Sequence, residues 1–404
     1  MQEIIRNIYF RLIQKLEIST YRYLYDKFDV KRNRLIGLIG ARGVGKTTLL
    51  LQTIVTKLDK NECFYVSLDN IYFASNTLVE LVEKLYEEEN IKTYFLDEVH
   101  KYKNWNQEIK NIYDSFPDIL IIFSGSSSLD IKKGIYDLSR RSIIYKLSGL
   151  SFREYLNFKL GTDFKKLEFE QIIADHKNFC LEISKVPCIK KHFKIYLNEG
   201  YYPFVFEGKE FFIEKLNNVI EKIIHEDISN YYDLKTQNLY IFKRILNYLA
   251  SIPPGEVNIN NLSNNLDIDN KTTKYYLNIL QDTGLVRLLQ INKKGSKQLR
   301  SPQKIYLDNP NIYSSISSQS GLPDNIGTKR EIFFINACEN SGNKVLYSKE
   351  IGDFFVNNRY FEVGGKSKSK RQIKTSIDNS FLVKDDILIG TNKEIPLYLF
   401  GFLY

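Results

Sequence analysis

The 404-residue chain has few of the features that mark membrane, secreted or metal-stabilised proteins. It has no uninterrupted apolar run long enough to span a bilayer, and no signal-peptide pattern opens it. Its four cysteines are widely scattered and lack the paired spacing of a metal site; they are Cys63, Cys180, Cys188 and Cys338. We therefore expect a cytoplasmic protein with reduced, packed thiols and no membrane partner.

The chain also lacks a strong charge imbalance. Its net charge is +9 and its isoelectric point is near 9.0, while 26% of its residues are charged and 43% are hydrophobic, which is ordinary for a globular protein. The positive excess permits a nucleic-acid partner, but solubility alone explains it equally well. The length allows two to four domains.

What the sequence does have is one stretch around which the rest is organised, residues 35–52, LIGLIGARGVGKTTLLLQ. An apolar run leads into a loop with the spacing G-x-x-x-x-G-K-T, and a helix-forming run follows, which is typical of a phosphate-binding loop. The glycines let successive N–H groups approach a polyphosphate, and the helix presents its positive end. We expect Lys46 to reach the β- and γ-phosphates and the Thr47 hydroxyl to bind Mg²⁺. The predicted nucleotide contacts are Gly40, Ala41, Arg42, Gly43, Val44, Gly45, Lys46, Thr47 and Thr48.

A second stretch, residues 92–100 (KTYFLDEVH), is an apolar run that ends in two carboxylates. A buried parallel strand has this composition and carries functional residues at its carboxyl end. Asp97 is the predicted second Mg²⁺ ligand, and Glu98 is the predicted general base that polarises the attacking water. Together the two stretches predict binding of ATP and Mg²⁺, and the adjacent Glu98 predicts hydrolysis.

Strands and helices alternate around these stretches. Apolar runs at 62–68 and 119–123 predict two more buried strands, and amphipathic patterns at 4–16, 77–89 and 102–116 predict helices. This alternation predicts an α/β fold with a parallel sheet covered on both faces. We assign residues 1–160 to this ATPase core and residues 161–235 to a helical lid or connector.

Polar residues after the last predicted strand are candidates for contacts with the γ-phosphate. Ser124 and Ser126 stand where a sensor of this phosphate is expected, with a simple serine-rich turn as the alternative. Arg140 and Arg141 follow, and either one is a candidate arginine finger acting on a neighbouring copy or a solvated surface charge. An arginine finger in trans would require a homo-oligomer.

Residues 240–289 change character and predict helix, turn, helix and strand, the order of a winged helix-turn-helix. We assign it residues 236–295. Its predicted recognition helix, 271–282, has outward positions that suit a DNA backbone or groove: Lys271, Thr272, Lys274 and Tyr275. The basic segment 293–304 is a predicted linker or wing tip. A module that binds protein and never touches DNA remains the alternative.

We assign residues 296–404 to a last α/β domain that begins with the strand 304–307. Its Glu331, Asp353, Glu362 and Lys366 are similar to the carboxylate and lysine array of restriction-endonuclease-like folds, in which carboxylates hold Mg²⁺. These folds carry the array as D…E-x-K, with the lysine two residues after the glutamate. Here the position two residues after Glu362 is Gly364. The pair of glycines at 364 and 365 predicts a break in the strand, which would turn Lys366 outward into the basic run 366–371. We therefore expect an inactive nuclease-like domain.

Nearly the full length resembles a family of prokaryotic AAA-type (P-loop) ATPases with a winged-helix domain and a C-terminal restriction-endonuclease-like domain of unknown function. The segments that carry the resemblance are GARGVGKTTLL, YFLDEVHKYKNW, FSGSSS, RR…LSFREYL, EGYYPFV, YLDNPNIY and FEVGGKSKSKRQI. The family commonly has Gly-Arg ahead of LSFRE. Here the sequence is Ser139-Arg140-Arg141, so the choice between the two arginines stays open.

These observations predict a slow Mg²⁺-dependent ATPase whose nucleotide state switches a winged-helix and nuclease-like output region. Two alternatives stay open. One is a nucleotide-gated DNA-binding regulator without significant turnover, and the other is an ATP-controlled Mg²⁺-dependent nuclease.

Overall fold

The computed structural model describes residues 2–18, 20–126, 138–229, 234, 236–253, 258–293, 295, 303–368 and 379–404. The chain divides into two compact units, Met1–Gly149 and Leu150–Tyr404. Among the described residues, no helix is long and apolar enough to cross a membrane.

The first unit is built on a five-stranded sheet in which every pair of neighbours is parallel. Its strands are β1 (Leu35–Ile39), β2 (Cys63–Ser67), β3 (Thr93–Asp97), β4 (Leu120–Gly125) and β5 (Ser142–Lys146). The order across the sheet is β2-β3-β4-β1-β5, so β4 lies between the strand before the glycine loop and the strand that ends at Asp97. Because all strands are parallel, the functional residues at their carboxyl ends share one edge.

The described residues of this unit also form the helices α1 (Gln2–Gln14), α2 (Lys46–Lys57), α3 (Leu78–Glu89) and α4 (Trp105–Ser115). A capping box between Thr77 and Glu80 starts α3. The helix predicted over 102–116 begins only at Trp105, because Asn104 adopts a left-handed backbone conformation with φ 62°. The predicted α/β fold with a parallel-sheet core is confirmed.

The second unit opens with helices α5 (Phe152–Leu160), α6 (Phe169–Ile183), α7 (Ile189–Glu199) and α8 (Phe212–Lys222), the last continued by a π-helical segment, Ile223–Ile228. A capping box of Ser151 and Glu154 starts α5. The sequence places this helix in the ATPase core. In the structure its Phe152 packs on Phe402 near the chain end, with ring centroids 6.1 Å apart.

Three helices and a hairpin follow: α9 (Thr236–Ser251), α10 (Ile259–Leu266), α11 (Asn270–Asp282), β6 (Val286–Leu289) and β7 (Lys304–Leu307). The predicted helix-turn-helix and strand are present. Strand β7, expected to begin the last domain, instead pairs antiparallel with β6. Most of the basic segment 293–304 lies outside the described residues. The winged-helix assignment stays a prediction.

The last part contains α12 (Pro310–Gln319), α13 (Ile326–Asn340) and a mixed five-stranded sheet. The strands are β8 (Leu346–Tyr347), β9 (Phe354–Val356), β10 (Arg359–Gly364), β11 (Ser380–Lys384) and β12 (Glu394–Pro396). Their order is β12-β11-β10-β9-β8, with β10, β11 and β12 mutually parallel. Strand β10 ends at Gly364, and Lys366 is exposed in a turn, so the predicted break is confirmed. The nuclease-like assignment stays a prediction.

Candidate functional site

The loop between β1 and α2 depends on its glycines. Gly43 and Gly45 have φ values of 83° and 91°, in the left-handed region that glycine adopts without strain. A Cβ atom at Gly40 would lie 2.3 Å from the backbone oxygen of Leu147, so a side chain there would collide with the backbone. The loop conformation therefore requires glycine at these three positions.

Lys46, at the start of α2, folds back over the loop. Its ammonium donates to the backbone oxygens of Gly40 at 3.1 Å and Ala41 at 3.2 Å, and the residue is only 5% exposed. Two backbone carbonyls thus hold the cation at the loop. Among the other predicted contact residues, Val44 is fully buried, whereas Thr48 is exposed.

The loop is also held by a residue that the sequence analysis missed. The buried guanidinium of Arg22 donates to the backbone oxygen of Val44 and, at 2.7 Å, to that of Ser148. Arg22 lies outside any motif and reaches the loop only through the fold. It fixes the middle of the glycine loop to the segment after β5.

Asp97, at the end of β3, is the hub of the site. One carboxylate oxygen, Oδ2, accepts from the Thr47 hydroxyl at 2.5 Å and from the Tyr65 hydroxyl at 2.9 Å. The other, Oδ1, accepts from the Ser124 hydroxyl and, at 3.1 Å, from the backbone N–H of Glu98. Asp97 is 1% exposed, and these four donors compensate the burial of its charge.

The strand order explains why Ser124 and Tyr65 reach Asp97. Ser124 is the penultimate residue of β4, which lies directly beside β3, and Tyr65 is in β2 on the other side of β3. Burial raises the pKa of the Tyr65 phenol well above its usual value, and the negative charge of Asp97 adds to this effect. Tyr65 therefore stays protonated and remains a hydrogen-bond donor. Ser124 was predicted from the sequence as a polar residue of this edge, whereas no sequence pattern indicates Tyr65.

Glu98 follows Asp97 with a left-handed backbone, φ 51°, and begins the short 3-10 turn Val99–Lys101. Its carboxylate oxygen Oε2 lies 3.4 Å from Nε2 of His100, whose side chain is only 4% exposed. The Glu98 side chain is 24% exposed and keeps access to solvent. The Asp97 carboxylate is thus buried, and the Glu98 carboxylate is partly exposed at the surface of the site.

The donor set fits a magnesium ion. Thr47 contributes a hydroxyl and Asp97 a carboxylate, both oxygen ligands of the kind that Mg²⁺ prefers, and the two oxygens already face each other. In P-loop NTPases, the loop Ser/Thr and the acid of the Asp97 strand are the protein ligands of this ion. The residues present therefore match the expected cofactor.

The two candidate arginines differ in their surroundings. Arg141 is bound within its own chain to Asp114, with Nε and one terminal nitrogen each 3.1 Å from a carboxylate oxygen. Arg140 is exposed in the turn before β5. Ser126 is 5% exposed, and the serines that follow it lie outside the described residues.

A separate carboxylate cluster lies in the second unit. Glu331 of α13 accepts from the Tyr306 hydroxyl at 2.9 Å, and Asp353 accepts from the backbone N–H of Val363 at 2.9 Å. One cation of the cluster is Lys368, whose ammonium lies 2.6 Å from Oε1 of Glu362. The sequence suggested Lys366 for this role and gave no sign of Lys368.

Burial dominates the electrostatics of this cluster. It raises the pKa of Glu331 to about 7, with a further increase from the negative charge of Asp353. Burial likewise raises the pKa values of Asp353 and Glu362, and Asp353 adds to the increase at Glu362, while Lys368 opposes both. The described residues contain no group of three or more His, Cys, Asp or Glu side chains arranged to hold a metal ion.

The predicted recognition helix α11 presents part of the expected surface. Lys271, Lys274 and Tyr275 are exposed. Thr272 is half-buried, and its hydroxyl donates at 2.6 Å to Asp269, the N-cap of the helix. Thr272 thus contributes to the start of the helix, and its role as an outward contact stays a prediction.

Two family models match the chain. Residues 32–156 match the model of an AAA domain, and residues 190–322 match a domain of unknown function. The first match contains both the glycine loop and the acidic end of β3. The chain thus carries an AAA-type P-loop NTPase core.

Two uncharacterized proteins of Methanocaldococcus jannaschii are similar to this chain. One is 29% identical over an alignment 412 positions long, which covers 93% of this chain and 85% of the relative. The other is 26% identical over 314 residues, which cover 73% of this chain and 66% of the relative, just under two thirds of its length.

Solved structures of AAA proteins also align. AMPPCP-bound DnaA from Aquifex aeolicus is 17% identical, with a TM-score of 0.24 and coverage of 69% of this chain and 87% of that chain. The Hsp104–ADP complex of S. cerevisiae is 14% identical, with a TM-score of 0.30 and coverage of 68% and 41%. At these scores the similarity does not extend to function.

Proposed function

We propose that this protein binds ATP together with Mg²⁺ and hydrolyses the nucleotide slowly, and that its nucleotide state controls the regions that follow the AAA core. The observation that best supports this proposal is the 2.5 Å contact between the Thr47 hydroxyl and the Asp97 carboxylate. Thr47 lies in the first turn of the helix that follows β1 and Asp97 ends β3, and β4 lies between these two strands. A chance glycine turn would give no reason for the two side chains to meet.

Lys46 is proposed to exchange partners when the nucleotide binds. Its ammonium now donates to the carbonyls of Gly40 and Ala41, which are weaker acceptors than a charged phosphate oxygen. The side chain already lies over the loop, so little rearrangement is needed. The backbone N–H groups of the loop and the positive end of α2 add to the binding of the anion.

Mg²⁺, when bound, supplies charge that neutralises the β- and γ-phosphate oxygens as the bond to the leaving group breaks. The Thr47 hydroxyl and the Asp97 carboxylate are the residues that would hold it. Tyr65 and Ser124 hold the same carboxylate by hydrogen bonds and so fix its orientation. Ser124 is also the proposed contact to the γ-phosphate, for which its single hydroxyl proton would turn from Asp97 to a phosphate oxygen.

Glu98 is proposed as the general base that accepts a proton from the attacking water. It is adjacent to the Mg²⁺ ligand Asp97, and its carboxylate is partly exposed at the site. His100 lies 3.4 Å from this carboxylate and is proposed to position it. The residues proposed for hydrolysis lie at the carboxyl edge of the parallel sheet and in the glycine loop beside it. The exception is an arginine that stabilises the transition state.

That arginine is proposed to come from a second copy of the chain. Arg140 is the better placed of the two candidates, because it is exposed whereas Arg141 is engaged with Asp114. An arginine supplied in trans would make turnover depend on protein concentration. It would also couple hydrolysis to assembly, which suits a switch better than a housekeeping enzyme.

The output of the switch is proposed to lie in a winged helix formed by residues 236–307 and in the α/β region after it. The order of three helices and a two-stranded antiparallel hairpin supports the winged-helix proposal. The exposed Lys271, Lys274 and Tyr275 on α11 support a nucleic-acid partner, and a protein partner is the alternative.

A Mg²⁺-dependent nuclease controlled by ATP is the second candidate. One observation favours it: Asp353 interacts by charge with both Glu331 and Glu362, and the ammonium of a lysine lies 2.6 Å from Glu362. Against it, the lysine comes from position 368, six residues after Glu362, and it already neutralises that carboxylate. We therefore propose that this cluster is structural.

A sustained phosphate-release assay separates these readings. Repeated turnover with ATP and Mg²⁺ that is lost in Lys46→Ala supports the ATPase. Tight binding of ATP without turnover would favour a nucleotide-gated DNA-binding regulator. Plasmid nicking, with and without ATP, tests the nuclease.

A further inference from the structure

The contacts of Arg22 join the glycine loop to the end of the first unit. Arg22 is 6% exposed, and its guanidinium donates to the backbone oxygen of Val44 with one terminal nitrogen and, at 2.7 Å, to that of Ser148 with the other. Ser148 is itself buried and is followed by Gly149, the last residue of the first unit. One side chain thus contacts both the phosphate loop and the segment through which the chain leaves that unit.

The contact with Val44 sets the direction of a backbone N–H group in the loop. The carbonyl of Val44 and the N–H of Gly45 belong to the same planar peptide unit, and in a trans peptide these two groups point in opposite directions. No peptide among the described residues is cis. The arginine that holds the carbonyl therefore turns the Gly45 N–H away from itself. Backbone N–H groups of such loops are the donors that bind phosphates.

The segment that carries Arg22 is fixed along α2. Nε2 of Gln52 donates to the backbone oxygen of Thr20 at 3.2 Å, and Nζ of Lys57 donates to that of Phe28 at 3.1 Å. Both donors lie on the helix that begins at the end of the loop. The arginine therefore reaches the loop from a segment that is held before and after it in the chain.

Tyr23 holds the end of the first unit from the next position. Its hydroxyl donates to the backbone oxygen of Lys146 at 3.0 Å and accepts from the N–H of Ser148 at 3.2 Å. Between these two residues, the N–H of Leu147 donates at 2.8 Å to the backbone oxygen of Ile39, the last residue of β1. This short segment is thus bound both to Tyr23 and to the strand that leads into the loop.

We propose that Arg22 is a positioning residue that couples the nucleotide site to the end of the first unit. It orients the Val44–Gly45 peptide for the phosphates. Because the same guanidinium holds the loop and Ser148, a nucleotide that fixes the loop also reduces the motion of residues 146–149. This role rests on the binding of ATP proposed above, and it adds a route by which the nucleotide state leaves the AAA core.

Hydrogen exchange of the full chain, with and without saturating ATP and Mg²⁺, tests the coupling. We expect ATP to slow the exchange of the wild type both in the loop, residues 40–48, and in residues 146–149. Arg22→Met removes the guanidinium and keeps an unbranched side chain. At an ATP concentration that saturates this variant, the loop should stay protected, and the ATP-dependent protection of residues 146–149 should fall by roughly fivefold or more.

Tyr23→Phe is a milder second variant, because it removes one hydroxyl and keeps the ring. It should reduce the ATP-dependent protection of residues 146–149 by about twofold or more, since the hydrogen bonds to Lys146 and Ser148 are lost. Circular dichroism of each variant checks that it is folded. If Arg22→Met does not fold, the wild type and Tyr23→Phe still decide the question.

Calorimetry with ATP and Mg²⁺ separates positioning from folding. Arg22→Met should weaken binding by roughly fivefold or more, because the loop peptide loses the group that orients it. Arg34→Met is the matched control. Arg34 also donates to backbone oxygens, those of Tyr113 at 2.9 Å and Phe116 at 2.6 Å, but it precedes β1, at the opposite end of that strand from the loop. Arg34→Met should lower the free energy of unfolding and still bind ATP as the wild type does.

Several results would overturn this role of Arg22 while leaving ATP binding intact. In one, ATP protects the loop of the wild type but leaves residues 146–149 unchanged. In another, ATP protects both segments of Arg22→Met as it does in the wild type. Equal ATP affinity of the wild type and Arg22→Met, or an equal loss of affinity in Arg34→Met, would refute the positioning of the loop. A wild type in which ATP does not protect the loop would refute the proposed ATP binding itself.

Discussion

The Thr47 hydroxyl donates to Asp97 at 2.5 Å, although the two residues are 50 positions apart in the chain. This contact joins the glycine loop to the acidic strand across the intervening β4. Two motifs that are separate in the sequence thus form one site. The first two predictions concern Lys46 and Glu98, the chain neighbours of Thr47 and Asp97.

Lys46→Ala should weaken ATP binding at least tenfold, which corresponds to about 1.4 kcal/mol. The substitution removes the cation that the phosphates are proposed to meet, and charge-assisted contacts are among the stronger ones. Calorimetry with ATP and Mg²⁺ measures the effect. Lys84→Ala, at an exposed lysine of α3, is the control for a lost positive charge. Equal affinity in wild type and Lys46→Ala would refute the assignment of the loop.

Glu98→Gln should leave ATP binding intact and reduce turnover by roughly 10²-fold or more, the usual contribution of a general base. The amide keeps the shape of the side chain but cannot accept the proton. Phosphate release under saturating ATP measures turnover, with Glu88→Gln, an exposed residue at the end of α3, as the control. Turnover like that of the wild type would move the base to another residue.

The parts of this site that the sequence predicts are those carried by local patterns. Gly43, Gly45 and Lys46 belong to one short motif, and Asp97 and Glu98 end one apolar run, so their types and spacing suffice. Arg22 and Tyr65 reach the same site from other segments, through strand order and packing. No spacing in the sequence relates them to the loop, and only the folded sheet brings them there.

The second unit shows the same limit more strongly. Strand β12 has three residues, and β11 follows a polar segment, so neither has a periodic pattern long enough to predict it. The break at Gly364 is a local property of two glycines and was predictable. That Lys368 then returns to Glu362 depends on the path of the chain after the break, which the glycines leave undetermined.

Binding of DNA by the proposed winged helix should weaken steeply with salt. Each phosphate neutralised contributes a slope of about −0.9 in log affinity against log salt concentration. The double substitution Lys271→Glu and Lys274→Glu should weaken binding equally on all sequences, because both residues are expected at the backbone. Lys185→Glu with Lys191→Glu makes the same charge change at exposed positions elsewhere in the second unit. If no duplex or single strand is retained in a gel shift at low salt, the partner is a protein.

Glu331→Gln should stabilise the protein more at pH 8 than at pH 5. The folded state raises the pKa of Glu331 from 4.5 to about 7, chiefly by burial, so the folded protein holds this proton more tightly than the unfolded chain does. Stability therefore falls as pH rises from about 4.5 to about 7, and the penalty is fully present above that range. The amide is never charged and avoids it.

The expected gain at pH 8 is on the order of 1–3 kcal/mol, and it should be much smaller at pH 5. Urea unfolding at the two pH values measures it. Glu350→Gln, at an exposed position, should show no such pH dependence. An equal effect of Glu331→Gln at pH 5 and pH 8 would mean that Glu331 is not the group that loses a proton between these two pH values.

The last prediction concerns cleavage of DNA. A metal-dependent nuclease needs carboxylates that converge on Mg²⁺ and a cation that steadies the attacking hydroxide or the transition state. Here Gly364 offers no side chain, and Lys366 is exposed in a turn. The ammonium that does arrive, from Lys368, lies 2.6 Å from Glu362 and neutralises one of the charges that the metal would require.

The other two carboxylates are also poorly suited to a metal. Burial raises the pKa values of Glu331 and Asp353, which favours their protonated forms, and the backbone N–H of Val363 occupies one oxygen of Asp353. We expect no nicking of supercoiled plasmid with Mg²⁺ or Mn²⁺, with or without ATP. Cleavage that is lost in Asp353→Ala but persists in Lys46→Ala would show the opposite, because it would locate a nuclease in this cluster that works independently of the nucleotide.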